Sequence, residues 1–377
     1  MIHTCYQSHQ FLRAAALLLA SLEIHGGNNS VFSATRNRRR RMAAFGGLTA
    51  GNAAQAAGPP RLRRKGDDMQ EIAKLGYVGV RSPSYEQWRT WAPDVFACML
   101  GPDGDDGAVR VKLDDFDYRL SIHPGDEHEL AYVGWEVLSH RDLDSLAAKL
   151  EKAGANPRRA SRELAESRGV LDLVTFEDPF GQPYEAYCYQ SADYRLWDPP
   201  RPHDGFVTGE QGLGHIVFIV PDAREAVDFH IDVLGFKPSD IVRLNEPLGE
   251  MWFLRANPRH HNVAFLEMPG MLGLHHVYIE CRSLDDVGYS YYDVLGGDGN
   301  TDLLMKLGRH VGDQTVSYYI HTPAGFFIEY GWDGLPIKES DPRSVEYVDL
   351  RKGKRPEMWG HHFTMQPNET VRPYKAR

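Results

Sequence analysis

The sequence predicts an α+β fold built from two tandem copies of one module. Three observations predict this fold: three short motifs recur in the same order in both halves, each half alternates strand-like and helical patterns, and the composition is that of a globular chain. Of the 377 residues, 42% are hydrophobic and 25% are charged. These values exclude collagen-like and wholly disordered proteins.

The duplication rests on motifs that keep a nearly constant spacing. In the first half they are Leu75-Gly76, Arg141-Asp142-Leu143-Asp144 and a Pro-x-Gly-x-x-x-Glu run from Pro179 to Glu185; in the second they are Leu213-Gly214, Arg282-Ser283-Leu284-Asp285 and the run from Pro323 to Glu329. Several anchors in one order are typical of an internal repeat. Each half is therefore expected to form one copy of the same structure.

Each copy has the pattern of two paired βαβββ units. The second copy shows it most clearly, with strands predicted at 216–220, 277–280 and 326–330 and helices predicted at 223–234 and 284–295. Gly235 and Gly296 follow the two helices, and glycine is common just after a helix end. We expect each sheet to wrap into a half-open barrel around a central cavity.

Composition limits the surroundings and partners of the protein. The net charge of −10 argues against general nucleic-acid binding, and no run of about 18 apolar residues predicts a membrane span. The four cysteines are far apart and form no CxxC motif, which is typical of thiols in a reducing compartment and favours the cytoplasm. A homo-oligomer that takes a small molecule as its partner is expected.

Superposing the two copies identifies polar residues on three strands. The second copy carries His215, His276 and Glu329, where the first carries Tyr77, Trp135 and Glu185. Two histidines and one carboxylate are the ligand set of a facial Fe(II) site with open positions. The first copy lacks both imidazoles and is expected to hold no metal.

Each of these residues has an ordinary structural interpretation when taken alone. A single strand histidine is more often packed in a core than bound to metal, and Glu329 alone could pair with an arginine. His275 precedes His276, and because adjacent strand residues point to opposite faces, only one of the two can be a ligand. The three residues together, at matching points of a duplicated frame, favour a metal site.

The chain is accordingly divided into four segments. Residues 1–68 hold ten of the 42 Lys and Arg but three of the 52 Asp and Glu, and we expect a disordered tail or a mis-assigned start there. Residues 69–200 are predicted to form an N-terminal metal-free module and residues 210–335 a C-terminal metal-binding module. Residues 336–377 are predicted to be a C-terminal extension.

A longer motif at the end of the second copy carries a family resemblance. It reads Gly308-x-His310, seven residues, Tyr318-Tyr319, two residues, Thr322-Pro323-x-Gly325, three residues and Glu329. With it, residues 69–335 resemble the type I extradiol ring-cleaving dioxygenases of the vicinal oxygen chelate superfamily, with 2,3-dihydroxybiphenyl 1,2-dioxygenases as the nearest kind. Tyr318 is the one departure, since an aliphatic residue or Phe is usual there.

The resemblance implies an activity and the residues that perform it. His215, His276 and Glu329 would bind Fe(II), with Mn(II) as an alternative, while His261 would act as acid and base and His310 and Tyr319 would hydrogen-bond the bound catecholate. Asp313 would orient His310. The implied reaction is extradiol cleavage of a bulky or biphenyl-type catechol with incorporation of both atoms of O2.

Two other functions remain open at this point. A glyoxalase-type isomerase on the same fold would use ligands from both copies, which Tyr77 and Trp135 disfavour. A metal-free protein of the superfamily that binds or sequesters aromatic ligands is the other alternative, and it would not need the six candidate site residues.

Overall fold

A computed structural model describes residues 70–195, 197–245, 248–337, 345–349, 358–364 and 366–375 of the chain. It confirms the α+β fold, with two sheets and few helices. The predicted disordered tail at 1–68 lies outside the described residues. Within the described residues, no helix is both long enough and apolar enough to cross a membrane.

The first copy forms an eight-stranded sheet. Its strands are β1 (Ile72–Ser82), β2 (Met99–Leu100), β3 (Val109–Lys112), β4 (Leu120–Pro124), β5 (Glu129–Val137), β6 (Arg158–Arg159), β7 (Val170–Glu177) and β8 (Pro183–Gln190). Its helices are α1 (Trp88–Phe96), α2 (His140–Lys152) and α3 (Arg162–Arg168). The strand order is β2-β3-β4-β1-β5-β8-β7-β6.

The second copy forms a larger sheet with the same internal order. Its strands are β9 (Ile216–Val220), β10 (Lys237–Arg243), β11 (Glu250–Arg255), β12 (Val263–Glu267), β13 (Met271–Cys281), β14 (Leu303–His310), β15 (Val316–His321), β16 (Phe327–Trp332), β17 (Glu346–Asp349), β18 (Met358–Trp359) and β19 (Arg372–Pro373). They run β17-β10-β11-β12-β9-β13-β16-β15-β14-β18, and β19 pairs with β13. Without β17, β18 and β19, this is the order of the first sheet, as the duplication predicts.

The helices of the second copy start where the sequence predicts and end earlier. Helix α4 (Ala223–Asp232) begins at the Asp222 cap, whose side chain accepts the Glu225 amide. Helix α5 (Leu284–Tyr289) passes into a π-helical turn at Ser290–Val294. The buried Ser290 hydroxyl there donates to the carbonyl of Val95 at 2.6 Å, so the irregular turn provides a contact to the first copy.

One apolar core joins the two sheets. Alternate residues of β9, such as Ile216 and Phe218, pack with helix α4 and with residues of the first copy in a single buried cluster. Their neighbours Val217 and Ile219 point to the other face of the strand, because successive side chains of a strand alternate. This second face is the inner face of the C-terminal sheet, and it carries the candidate site.

Candidate active site

The three candidate metal ligands lie on three adjacent strands of the C-terminal sheet. His215 immediately precedes β9, His276 lies on β13 and Glu329 lies on β16, and the sheet order places β13 between the other two. All three side chains are buried. Residues that are far apart in the sequence therefore meet because parallel and antiparallel pairing brings their strands together.

The ligand atoms of the three residues converge on one point. His215 Nε2 is 3.0 Å from Glu329 Oε2 and 3.3 Å from His276 Nε2, and His276 Nε2 is 3.4 Å from Glu329 Oε2. Ligands at right angles around an ion, each bonded at about 2.1 Å, are about 3 Å apart. The donor set and its spacing therefore fit one divalent cation bound on one face.

The backbone before β9 fixes the position of His215. Gly214 has φ +150°, and a Cβ atom there would overlap the carbonyl oxygen of Tyr278. The close approach lets the Tyr278 amide donate to the His215 carbonyl at 2.9 Å, while the Tyr278 ring stacks on the His215 imidazole at 4.5 Å. The glycine of the Leu-Gly motif thus allows the strand to hold its first candidate ligand.

A β-bulge sets the orientation of His276. The register of β13 against β9 shifts between Leu274 and His276, which leaves His275 unpaired. The Nδ1 atoms of the two histidines are 2.6 Å apart, so the expectation that they point to opposite faces is wrong. Burial lowers the pKa of His275 to about 3, and this neutral ring lies behind His276, whose Nε2 faces the other ligands.

The protonation states of the candidate ligands suit metal binding. Burial lowers the pKa of His215 to about 4. Burial opposes ionisation of Glu329, but the hydrogen bonds of His215 and His276 and the charges of His215 and His310 outweigh it and hold the Glu329 pKa well below its usual range. The Ser317 hydroxyl donates to Glu329 Oε1 at 2.7 Å. A neutral imidazole and an ionised carboxylate are the forms that bind metal ions.

His261 lies directly against the first candidate ligand. Its ring centroid is 3.9 Å from that of His215 and 4.9 Å from that of Phe253. Its Nδ1 is 3.1 Å from Nδ1 of His260, and His260 Nε2 is 2.9 Å from Asp240 Oδ2. Burial lowers the pKa of His261 well below its usual value. His260, which contacts both Asp240 and His261, therefore holds His261 at the site.

His310 and Tyr319 lie against the other two candidate ligands, Glu329 and His276. His310 Nε2 is 2.9 Å from the Tyr319 hydroxyl and 3.6 Å from Glu329 Oε1. The Tyr319 ring packs edge-on against His276 at 5.1 Å. All six residues that the sequence identifies as ligands or catalytic groups therefore meet in one place.

Asp313 does not contact His310, the partner that the family resemblance implies. Its carboxylate accepts the Thr315 amide at 3.1 Å, and it lies near the ligand atoms of His260 and His261. Among the described residues it makes no hydrogen bond to His310. The prediction that Asp313 orients His310 is therefore wrong, because the turn before β15 directs its side chain toward the other pair of histidines.

The strand register also corrects one equivalence between the copies. The parallel pairs are Glu185 with Gly134 in the first sheet and Glu329 with Tyr278 in the second. The counterpart of His276 is therefore Tyr132, and the match with Trp135 is wrong. Trp135 points into the core, where its ring meets Phe236 at 5.1 Å. The loops before β13 are longer in the second copy than in the first, so motif spacing alone matched His276 with the wrong residue.

An arginine lies among the counterpart positions in the first copy. Arg168 Nε is 3.0 Å from Glu185 Oε1, and its guanidinium carbon is 3.7 Å from the centre of the Tyr132 ring. The Tyr77 hydroxyl donates to Glu185 Oε2 at 2.9 Å. The acid that matches Glu329 is thus paired with a side-chain cation, and tyrosines stand where the second copy has imidazoles.

Two groups at the site were not predicted from the sequence. Ser317 supports Glu329, and a serine two residues before a tyrosine carries no recognisable signal. His361 packs on His310 with ring centroids 4.6 Å apart, although it belongs to the predicted C-terminal extension. No motif or periodic pattern in the sequence places that segment in the sheet.

Comparison with known proteins agrees with this geometry. Residues 212–330 match the Glyoxalase/Bleomycin resistance protein/Dioxygenase superfamily, and residues 75–125 match the family described as Dihydroxybiphenyl dioxygenase BphC D1. The first of these matches contains all six candidate site residues.

Curated relatives and solved structures match most of the chain. A biphenyl-2,3-diol 1,2-dioxygenase of Metapseudomonas furukawaii is 36% identical over 294 residues, covering 77% of this chain and 93% of that protein. An iron-dependent extradiol dioxygenase of Rhodococcus jostii (strain RHA1) is 36% identical over 78% of this chain and 99% of the relative. The crystal structure of BphC, a halotolerant catechol dioxygenase, is 32% identical with a TM-score of 0.73, covering 81% of this chain and 100% of that one. Shared sequence, shared fold and the converging histidines and glutamate together place the chain in the extradiol ring-cleaving dioxygenases of the vicinal oxygen chelate superfamily.

Proposed function

We propose that the protein cleaves a substituted catechol beside its two hydroxyl groups and adds both atoms of O2 to the product. The observation that carries this proposal is the convergence of His215, His276 and Glu329 within 3.4 Å of one another on the inner face of the C-terminal sheet. These residues would hold Fe(II), with Mn(II) as the alternative, because imidazole and carboxylate ligands do not separate the two ions strongly.

When bound, the ion supplies positive charge for both catechol oxygens and a common site for the ring and O2. Side chains of the protein then transfer protons to and from the substrate and hydrogen-bond it. His261 would take a proton from the catechol and return one later, since its ring lies 3.9 Å from that of His215. His310 and Tyr319, whose Nε2 and hydroxyl are already 2.9 Å apart, would hydrogen-bond a catecholate oxygen.

The lining of the inner face favours a bulky, apolar substituent on the catechol. The strand pairing places Val217 opposite Ala264 and Phe253 opposite Ala264. Further along the same face, Ile219 and Leu266 belong to a separate apolar cluster. An aromatic or alkyl group can bury surface there without removing a polar group from water, so a biphenyl-type catechol is the expected substrate.

Anaerobic purification followed by iron analysis and a catechol panel tests the proposal. We expect about one iron per chain and, on adding a catechol in air, a yellow ring-fission product whose formation consumes O2. A biphenyl-type catechol should give a kcat/KM at least about tenfold above that of unsubstituted catechol. A protein that binds aromatic compounds tightly but holds no iron and forms no colour would instead be a metal-free binder.

Filling the apolar lining should change the substrate preference. Ala264→Phe adds a ring between Val217 and Phe253, and we expect kcat/KM for a biphenyl-type catechol to fall at least about tenfold. Iron content and kcat/KM for unsubstituted catechol should stay within about threefold of the wild-type values. Equal losses on both substrates would contradict this assignment of the lining.

Location and assembly are part of the same proposal. Cys98, Cys188 and Cys281 are free and buried, which supports a reducing compartment such as the cytoplasm. The predicted homo-oligomer is checked by analytical ultracentrifugation of the iron-loaded protein.

A further inference from the structure

Residues 358–364 lie at one edge of the C-terminal sheet and extend to the candidate site. Strand β18 pairs with β14, with Arg309 opposite Trp359. The Lys306 amide donates to the carbonyl of His362 at 3.1 Å, and the Thr364 amide donates to the carbonyl of Leu304 at 2.8 Å. Residues 358–364, which we call the C-terminal edge segment, are therefore hydrogen-bonded along the strand that ends at His310.

Two glycines allow this segment to cross β14 at very short range. A Cβ atom on Gly308 would overlap the amide nitrogen of His361, and one on Gly360 would lie 2.8 Å from the Gly308 Cα. Gly360 also has φ +81°, a conformation that favours glycine. The glycine of the Gly-x-His motif thus has a physical role, which is to let the edge segment lie against the strand beside His310.

Because the C-terminal edge segment crosses β14 at this point, the imidazole ring of His361 packs against the imidazole ring of His310. The two imidazole centroids are 4.6 Å apart, and the His361 ring is 5.8 Å from that of Tyr319. His361 Nδ1 lies 2.9 Å from the Lys306 carbonyl oxygen, and a carbonyl only accepts, so Nδ1 carries the proton. Burial lowers the pKa of His361 to about 3, which leaves the ring neutral.

The other nitrogen of His361 argues against a purely structural role. Nε2 is buried and has no hydrogen-bond partner within the described part of the chain. An unpaired buried polar atom costs about 1–3 kcal/mol, a cost that an apolar ring of similar size would avoid. Core packing alone therefore does not explain an imidazole at this position.

We propose that His361 is a positioning residue for His310. The Nδ1–H bond to the Lys306 carbonyl orients the His361 ring, and its face then holds the His310 imidazole with Nε2 toward Tyr319 and Glu329. The inference rests on the proposed function, because the consequence of the orientation is a hydrogen bond to the bound catecholate.

Two substitutions test separately the hydrogen bond of His361 to the Lys306 carbonyl and the packing of its ring on His310. His361→Phe keeps a ring but loses the bond to the Lys306 carbonyl, whereas His361→Asn keeps a donor near Nδ1 but loses the ring face. We expect both variants to lower kcat by about ten- to a hundredfold, with KM within about threefold and iron content unchanged. His362→Ala is the matched control, because His362 is the exposed neighbour on the same segment, and its kcat should equal that of the wild type.

A second measurement does not depend on activity. In the metal-free protein with ¹⁵N-labelled histidine, the His310 imidazole signals should move in the Phe and Asn variants and stay in place in His362→Ala. Unchanged His310 signals, or kcat within about threefold of wild type in both variants, would overturn the proposal, as would loss of iron. A wild-type protein that cleaves no catechol would contradict the proposed function, and the His310 signals would still decide the positioning role.

Discussion

His215→Ala should abolish iron loading and lower ring-cleavage activity at least about a thousandfold. The expected size follows because a bound metal contributes several kcal/mol to the reaction and each 1.36 kcal/mol is a factor of ten in rate. His215 supplies one of three ligand atoms that lie within 3.4 Å of one another, and two remaining ligands hold an ion weakly. Iron per chain and O2 consumption are the measurements.

The first copy offers a matched control for this experiment. Tyr77 is the counterpart of His215 and hydrogen-bonds Glu185, so Tyr77→Phe removes a polar contact at the equivalent point of the repeat. Iron content should be unchanged in Tyr77→Phe, and the near-ultraviolet circular dichroism of His215→Ala should match the wild type. Iron retained in His215→Ala, or lost in Tyr77→Phe, would contradict the assignment of the metal to the second copy.

Arg168→Leu should destabilise the protein by about 3 kcal/mol without changing its iron content. Removal of one partner from a buried ion pair leaves an uncompensated charge, which typically costs a few kcal/mol. Arg168 is mostly buried and Glu185 is almost fully buried. Chemical denaturation monitored by circular dichroism gives the free energy of unfolding, and metal analysis gives the iron content.

The loss of stability in Arg168→Leu should depend on pH. Burial raises the pKa of Glu185, and Arg168 is the main group that opposes this rise, so the variant's Glu185 pKa is higher still. A carboxyl with a higher pKa in the folded state adds stability when protonated and loses it as pH rises through the folded pKa. The deficit should therefore be smaller at about pH 5 than at about pH 8.

A neighbouring ion pair serves as the control for Arg168→Leu. Arg162 and Glu166 lie on the same helix, α3, and both are well exposed, and exposed pairs contribute little to stability. Arg162→Leu should leave the melting temperature almost unchanged at both pH values. An Arg168→Leu variant as stable as the Arg162→Leu variant would show that the cation in the first copy does not stabilise the fold.

The sequence predicted the parts of the protein that repeat. Motif spacing was enough to predict two sheets of one order and to bring His215, His276 and Glu329 together, because equivalent points of a repeat occupy equivalent places. The match of His276 with Trp135 failed for a physical reason: the second copy has extra loop residues before β13, and such a displacement alters which side chains face inward. Only the strand pairing identifies Tyr132.

Other features depend on contacts that no periodic pattern records. Asp313 is three residues from His310 in the chain, yet the turn directs it toward His260 and His261. His361 comes from a segment with no counterpart in the first copy, so the repeat could not place it. Such positions depend on tertiary crossings, and those are visible only once the chain is folded.

The strands β17 and β18 have a consequence for how the protein is made. They follow β9 to β16 in the chain, and they cover the two outer edges of the sheet that carries the candidate ligands. The first copy can begin to fold while the ribosome is still at work, since domains of a chain fold largely in order of synthesis. The C-terminal sheet gains both edge strands only once residues 346–359 have been made, so a stop codon before residue 346 would leave both edges of the sheet that carries the candidate ligands uncovered.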